Sequence, residues 1–171
     1  MIGLKDGTVE LEQYTQEWVV IAKETMHRLK NILGNIVVDI QHVGSTSIVG
    51  IMAKPIIDIE VGVNSVKDVI CLIPTLQKNG FYYRPRTSNE NHILFACRDL
   101  DNEKDTHYIH VVIYGKTEWT NNLRFRDILN ENAGIRKEYE DLKLQLSIEY
   151  PADRTAYTNM KSEFIKRIIC S

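Results

Sequence analysis

Cysteine is scarce and scattered. Cys71, Cys97 and Cys170 are the three in a chain of 171 residues, and no two have CxxC spacing. An odd, dispersed set argues against a disulfide framework and gives no zinc-ligand pattern, and it fits a reducing cytosol. No apolar run approaches the roughly 20 residues needed to cross a bilayer. The opening Met1-Ile2-Gly3-Leu4-Lys5-Asp6 does not read as a signal peptide. A cytoplasmic location with no membrane partner is expected. Strong charge of either sign is also missing, since the formal net charge is -2. No global basic field marks a nucleic-acid binder, so nucleic acid is not an expected partner.

What is present is an ordinary globular composition, 43% hydrophobic and 26% charged. The length is enough for one domain with a real core. No repeat, low-complexity tract or linker divides it. A single domain over 1–171 is expected, with a sheet-containing core over about 1–115 and a helical part over about 117–171. The oligomeric state stays open.

The first helix is clear. Thr15 suits an N-cap and Glu17 the first turn. Trp18, Ile21, Ala22, Leu29 and Leu33 recur at helical spacing, and Gly34 is a natural stop. A short strand is expected near Val9–Leu11. β-branched Ile36–Gln41 and Ile56–Val63 read as strands. A helix follows from Ser65, where Ser65 and Asp68 resemble a capping box. Pro74 should disturb its last turns, and Asn79-Gly80 ends it. Strands are then expected at Phe81–Arg84, Asn91–Arg98 and Thr106–Tyr114. Helices are expected at Trp119–Asn130, Ile135–Glu149 and, beyond Pro151, about Arg154–Ile169. The fold class is α+β, a mixed sheet flanked by helices with a C-terminal helical segment.

Residues 42–63, HVGSTSIVGIMAKPIIDIEVGV, organise the rest. At Gly44-Ser45 glycine allows close backbone approach and successive N–H groups can form an anion nest, with Ser45 and Thr46 adding hydroxyls. In the strand, Ile57, Ile59, Val61 and Val63 point one way, while Asp58, Glu60 and Gly62 point the other. Two carboxylates on one face need compensation, which a divalent cation such as Mg²⁺ supplies. Taken singly, the turn is also a plain strand-to-helix connection, and the acids a solvent-facing edge.

A Gly-Ser turn about a dozen residues before Asp-x-Glu resembles the nucleotidyltransferase fold of the polymerase-β superfamily. HVGST…AKPIIDIEV resembles the signature of its GrpB family. Tyr14 and Trp18, Asn79-Gly80-Phe81, His107-Tyr108-Ile109-His110-Val111-Val112, Asn122-Leu123-Arg124-Phe125-Arg126-Asp127, and Tyr139, Leu142, Lys143, Tyr157 and Lys161 extend the resemblance over nearly the whole chain.

The resemblance implies that Gly44, Ser45 and Thr46 bind phosphate, that Asp58 and Glu60 bind Mg²⁺ or Mn²⁺, and that both acids are catalytic. A third acid is usual on a later strand. Thr106–Tyr114 has no Asp or Glu, and His110 stands in the expected place, where it could act as base. His107 should face the opposite side. Lys54, Arg126 and Lys161 are candidate phosphate contacts. His42, His107, Lys143 and Tyr157 are possible accessory residues.

The resemblance implies transfer of a nucleoside monophosphate from a nucleoside triphosphate to an unknown acceptor. A second reading is a non-catalytic module that binds a nucleotide or other phosphorylated small molecule. GrpB-like domains fused to dephospho-coenzyme A kinase in some organisms link that reading to coenzyme A metabolism. A metal-dependent phosphohydrolase is a third.

Overall fold

Thr15 sets the first helix. In this computed structural model, which describes residues 2–170, its side chain accepts from the Glu17 N–H at the start of α1 (Gln16–Leu33), and Gly34, at φ 57°, closes the other end. Trp18, Ala22, Leu29 and Leu33 are buried along one stripe. The strand expected near Val9–Leu11 does not form. Val9 packs with Leu146 and Tyr157 instead, and the strand in this region is β1 (Leu4–Lys5), paired with Asp105 and Lys104.

The remaining strands are β2 (Val37–Val43), β3 (Ile57–Val63), β4 (Tyr82–Tyr83), β5 (His92–Asp99) and β6 (Lys104–Ile113). Their order is β2-β3-β6-β5-β4. β3 runs parallel to β6, and the other neighbours are antiparallel. β2 begins after a 3₁₀ turn at Gly34–Ile36 and extends to Val43, so His42 lies in the strand. β6 starts at Lys104 and therefore contains Asp105.

The helix expected from Ser65 is broken into α2 (Lys67–Ile70) and α3 (Ile73–Lys78). The capping box is absent: Asp68 N–H donates to the Ser65 carbonyl, and no side chain caps α2. Pro74 sits in the first turn of α3, where its missing N–H breaks no helical bond. The chain ends in α4 (Thr117–Glu131), α5 (Ala133–Glu149), α6 (Arg154–Met160) and α7 (Ser162–Cys170). The last two replace the single helix expected there, with Lys161 at the break between them.

These pieces make a mixed sheet flanked by helices, with a C-terminal helical segment. The main core lies on one sheet face, where Ile57, Ile59, Val61 and Val63 meet α1, Val69 and Leu76. A second cluster joins Ile48 and Ile51 to Phe125, Leu129, Tyr139, Phe164 and Ile168. The helices α4–α7 thus cover the side carrying the acids. Gly62 permits the closest approach: a Cβ there would stand 2.9 Å from the Trp119 and Tyr114 rings.

Candidate functional site

Register places the site residues. Asp58 pairs with Val43 and Tyr108, and Glu60 with Gln41 and His110, so these share one face. His42 pairs with Ile59 and His107 with Ile57, on the opposite face. His107 Nε2 lies 3.2 Å from the Thr25 hydroxyl of α1. His42, expected to reach the same mouth as the Gly-Ser turn, turns away from it because β2 continues through it. Both imidazoles are pushed down to about 4, chiefly by burial. Both are neutral and hydrogen-bonded on that face, His42 to Thr46 of the turn and His107 to Thr25.

Gly44 has φ 69° and ψ -173°, a combination essentially confined to glycine. A Cβ on Gly44 would collide with the Asp58 carboxylate. Glycine therefore lets turn and carboxylate touch. Ser45–Ser47 form a 3₁₀ turn, and Ser45 Oγ lies 3.4 Å from the Tyr139 hydroxyl. Thr46 is buried beneath, with its hydroxyl 2.9 Å from His42 Nε2.

A cavity of about 330 Å³ opens between this turn, the sheet and the C-terminal helices. Of the residues expected from the sequence, Gly44, Ser45, Lys54, Asp58, His110, Tyr157 and Lys161 line it. Tyr108, Asn122 and Arg154 line it too, and none of the three is a site residue expected from the sequence. Alternation from His110 could have found Tyr108. Nothing local marks Arg154. Thr46, Glu60, Arg126, His42, His107 and Lys143 stand outside the wall. Arg126, expected on phosphate, donates to Gln41 Oε1 at 2.9 Å and to the His42 carbonyl at 3.0 Å, and its Nε meets Asp127. It fastens α4 to the edge of β2. Lys143 is buried and donates to the Met52 carbonyl.

The cavity is cationic and poorly compensated. Lys54 and Lys161 reach over the ring of Tyr157, at 5.2 and 4.4 Å from its centre. Burial, then repulsion from Lys161, holds Lys54 down at about 7. Burial holds Lys161 at about 8, against an upward pull from Asp58. Arg154 donates to the Tyr108 hydroxyl at 2.9 Å and to the Thr8 carbonyl at 3.2 Å. The Tyr108 hydroxyl donates to Asp105, which also accepts from Arg84. A shift in register between Cys97 and Arg98 pairs Asp105 with Arg98, turning it to the Tyr108 face. β6 thus does carry an acid, but Arg84 and Tyr108 occupy it.

The acid pair does not form the expected metal cradle. Asp58 faces the cavity. Glu60 is fully buried, and its Oε1 accepts from Asn122 of α4 at 3.0 Å. Its Oε2 has no hydrogen-bond partner. Burial raises its carboxyl to about 7 despite the Asn122 bond. Among the described residues, no three His, Cys, Asp or Glu side chains gather as a metal-binding group. As placed, the residues do not fit a Mg²⁺ or Mn²⁺ ion held by Asp58 and Glu60 together.

His110 does meet Asp58, Nε2 to Oδ1 at 3.4 Å. Its Nδ1 lies 3.2 Å from His92 Nε2, and His92 Nδ1 lies 3.3 Å from Glu118 Oε1. Burial alone would lower His110, but the Asp58 bond and the charges of Asp58, Glu60 and Glu118 raise it above its ordinary value.

The sheet, its two unlike faces and the roofed basic cavity define the class: a small α+β protein with a cationic pocket between sheet and C-terminal helices. The family described as GrpB protein matches residues 8–170, and the chain belongs to it. The glutamate-rich protein GrpB of Alkalihalophilus pseudofirmus is 42% identical over 171 residues, covering 99% of this chain and 98% of that protein. The UPF0157 protein YqkA of Bacillus subtilis is 35% identical over 92% of this chain, which spans only 45% of that protein's length. The crystal structure of the conserved protein GrpB from Enterococcus faecalis superposes with a TM-score of 0.84 at 31% identity, over 94% of this chain and 95% of that one. A Cid1 poly(U) polymerase chain with MgGTP bound aligns at a TM-score of 0.49 and 14% identity, a likeness too weak to carry function. No helix among the described residues is long and apolar enough to cross a membrane.

Proposed function

We propose that the cavity binds the phosphate chain of a nucleoside triphosphate and that the protein transfers the nucleoside monophosphate to an acceptor hydroxyl. One observation carries the binding step: Lys161 is buried and Lys54 half-buried in one cavity wall, and Asp58 is the carboxylate facing them. A buried cation without a full partner is costly, and a phosphate chain supplies the missing charge. Ser45 and the turn's N–H groups add donors at the same wall.

The position of His110 and Asp58 supports the transfer step. The acceptor oxygen bonds to the α-phosphorus as the bond to pyrophosphate breaks. The hydrogen-bonded Asp58–His110 pair takes the acceptor's proton. Lys54 and Lys161 neutralise the leaving pyrophosphate. A second reading, binding without transfer, is favoured by Glu60, which is sealed by Asn122 rather than presented to the cavity.

Incubation with each nucleoside triphosphate separates the two. Pyrophosphate and phosphate are followed separately, with Mg²⁺, Mn²⁺ or a chelator, with and without hydroxyl acceptors. Pyrophosphate release that Asp58→Ala abolishes is expected. Saturable binding with no product would favour the module. No binding at millimolar nucleotide would sink both.

A further inference from the structure

The backbone on both sides of Lys54 is pinned. Ala53 before it exchanges both main-chain hydrogen bonds with Glu12. Pro55 after it favours an extended Lys54, and the Pro55 carbonyl accepts from the Gly3 N–H. The side chain reaches into the cavity wall and ends 5.2 Å from the centre of the Tyr157 ring. Among the described residues no carboxylate or carbonyl oxygen pairs with its amine.

Three lysines gather here, and they are not equivalent. Lys143 of α5 is fully buried and donates to the Met52 carbonyl. Lys161 is buried and lies closer to Tyr157, at 4.4 Å. Lys54 is half-buried, so its nitrogen is the most open of the three to a molecule in the cavity. The charged groups around it are Asp58 of β3, Lys143 of α5, Arg154 of α6 and Lys161 at the break before α7. Three cations thus face one carboxylate. Burial first, then Lys161, holds Lys54 at about 7, and Arg154 adds to this against the pull of Asp58. An amine desolvated beside other cations keeps a free electron pair at neutral pH and is a nucleophile there.

We propose that Lys54 is a covalent site for small aldehydes or ketones that carry a phosphate, with the carbonyl carbon at Lys54 and the phosphate on Lys161 and the Ser45 turn. The Lys54 nitrogen bonds to the carbonyl carbon, and one nitrogen proton passes to the carbonyl oxygen. The resulting hydroxyl leaves as water with the second nitrogen proton, and a carbon–nitrogen double bond remains. No oxidant or reductant is needed. The phosphate in this ligand class rests on the phosphate-binding reading above. The reactivity of the amine does not rest on it, and neither depends on nucleotidyl transfer. A polyphosphate chain lying on Lys54 itself returns the proton to the amine, whereas a lone phosphate seated on Lys161 leaves Lys54 to the carbonyl.

The test uses the native protein with pyridoxal 5′-phosphate or with pyridoxal, two aldehydes of which the first alone carries phosphate. Borohydride then reduces the double bond, and the labelled peptides are mapped by mass spectrometry. At pH 7 an ordinary lysine has roughly one amine in a few thousand unprotonated. Lys54 should therefore be labelled at least about 10-fold faster than the exposed lysines. Its rate should rise with pH through about 7 and then level off, as the neutral amine forms. Pyridoxal 5′-phosphate should label at several-fold lower concentration than pyridoxal, and pyrophosphate should protect. Lys54→Arg keeps a cation without this nucleophile and should lose the label. Label spread evenly over the lysines, or a Lys54 rate still climbing beyond pH 9, overturns the proposal and leaves phosphate binding to the nucleotide assay. Selective labelling of Lys54 by both aldehydes that neither the probe's phosphate nor pyrophosphate alters overturns the ligand class and the phosphate-binding reading together.

Discussion

Replacing Lys161 by Met should stabilise the free protein while removing its hold on phosphate. Lys161 is 8% exposed. Its ammonium is held at about 8 instead of 10.5, first by burial. That difference corresponds to about 3 kcal/mol against the charged form. The ammonium recovers part of it, about 1–2 kcal/mol, from the Tyr157 ring 4.4 Å away. A net gain of about 1–2 kcal/mol is expected for Lys161→Met near pH 7, a rise of roughly 2–8 °C in Tm for a chain of this size. The pH dependence distinguishes this cause from better packing. Below pH 8 Lys161 is charged in both states and the whole cost is present. Between pH 8 and 10.5 the folded state gives up its proton first, so the cost fades. The variant's advantage, read from urea midpoints at pH 7 and pH 10, should therefore shrink as pH rises. Pyrophosphate at about 100 times its Kd should stabilise the native protein by about 2.7 kcal/mol and the variant by far less. A variant less stable than native at pH 7, or an advantage equal at both pH values, refutes the reasoning.

Gly44→Ala must adopt a backbone conformation suited to glycine and must displace the Asp58 carboxylate. A loss of about 1–3 kcal/mol in urea unfolding is expected, with pyrophosphate release lost, and an unchanged midpoint would count against the close-contact argument. Glu60 keeps its proton in the fold up to about 7, while the unfolded chain releases it near 4.5. Stability from this group is full below pH 4.5 and falls as pH rises to 7, and Glu60→Gln should flatten that slope in unfolding series. The same slope in both proteins would show that Glu60 is not the cause. Arg154→Ala removes donors to Thr8, Lys5 and Tyr108, and about 2–4 kcal/mol should be lost. Hydrogen exchange at the Gly3 and Val9 amides, bonded to Pro55 and Pro151, should accelerate, and unaltered protection there would contradict the role given to Arg154.

Much of this protein is legible in order along the chain. Thr15 and Gly34 bound α1 because capping is a matter of a few neighbouring residues. Alternation in β3 sorts Asp58 and Glu60 from Ile57 and Ile59, because a strand turns its side chains over at every residue. The same rule separates His107 from His110. Local rules failed where two uses of a residue compete. Pro74 could end one helix or begin another, and Val9 could pair in a strand or pack against Tyr157.

Sequence by itself determined the strands from β2 onward, the glycine turn beside an acid strand, and the family. Tertiary structure decided which of the marked residues share a cavity. It turned His42 inward with β2, committed Arg126 to the sheet edge, and sealed Glu60 under Asn122. It also brought in Arg154, nearly one hundred residues from Asp58 in the chain, and aligned Glu118 and His92 behind His110. Contacts between distant segments follow from strand order and helix packing, which no short window of residues contains. The Gly44–Asp58 contact spans both levels: its residues are visible in the sequence, and their touching depends on a backbone turn that only the fold reveals.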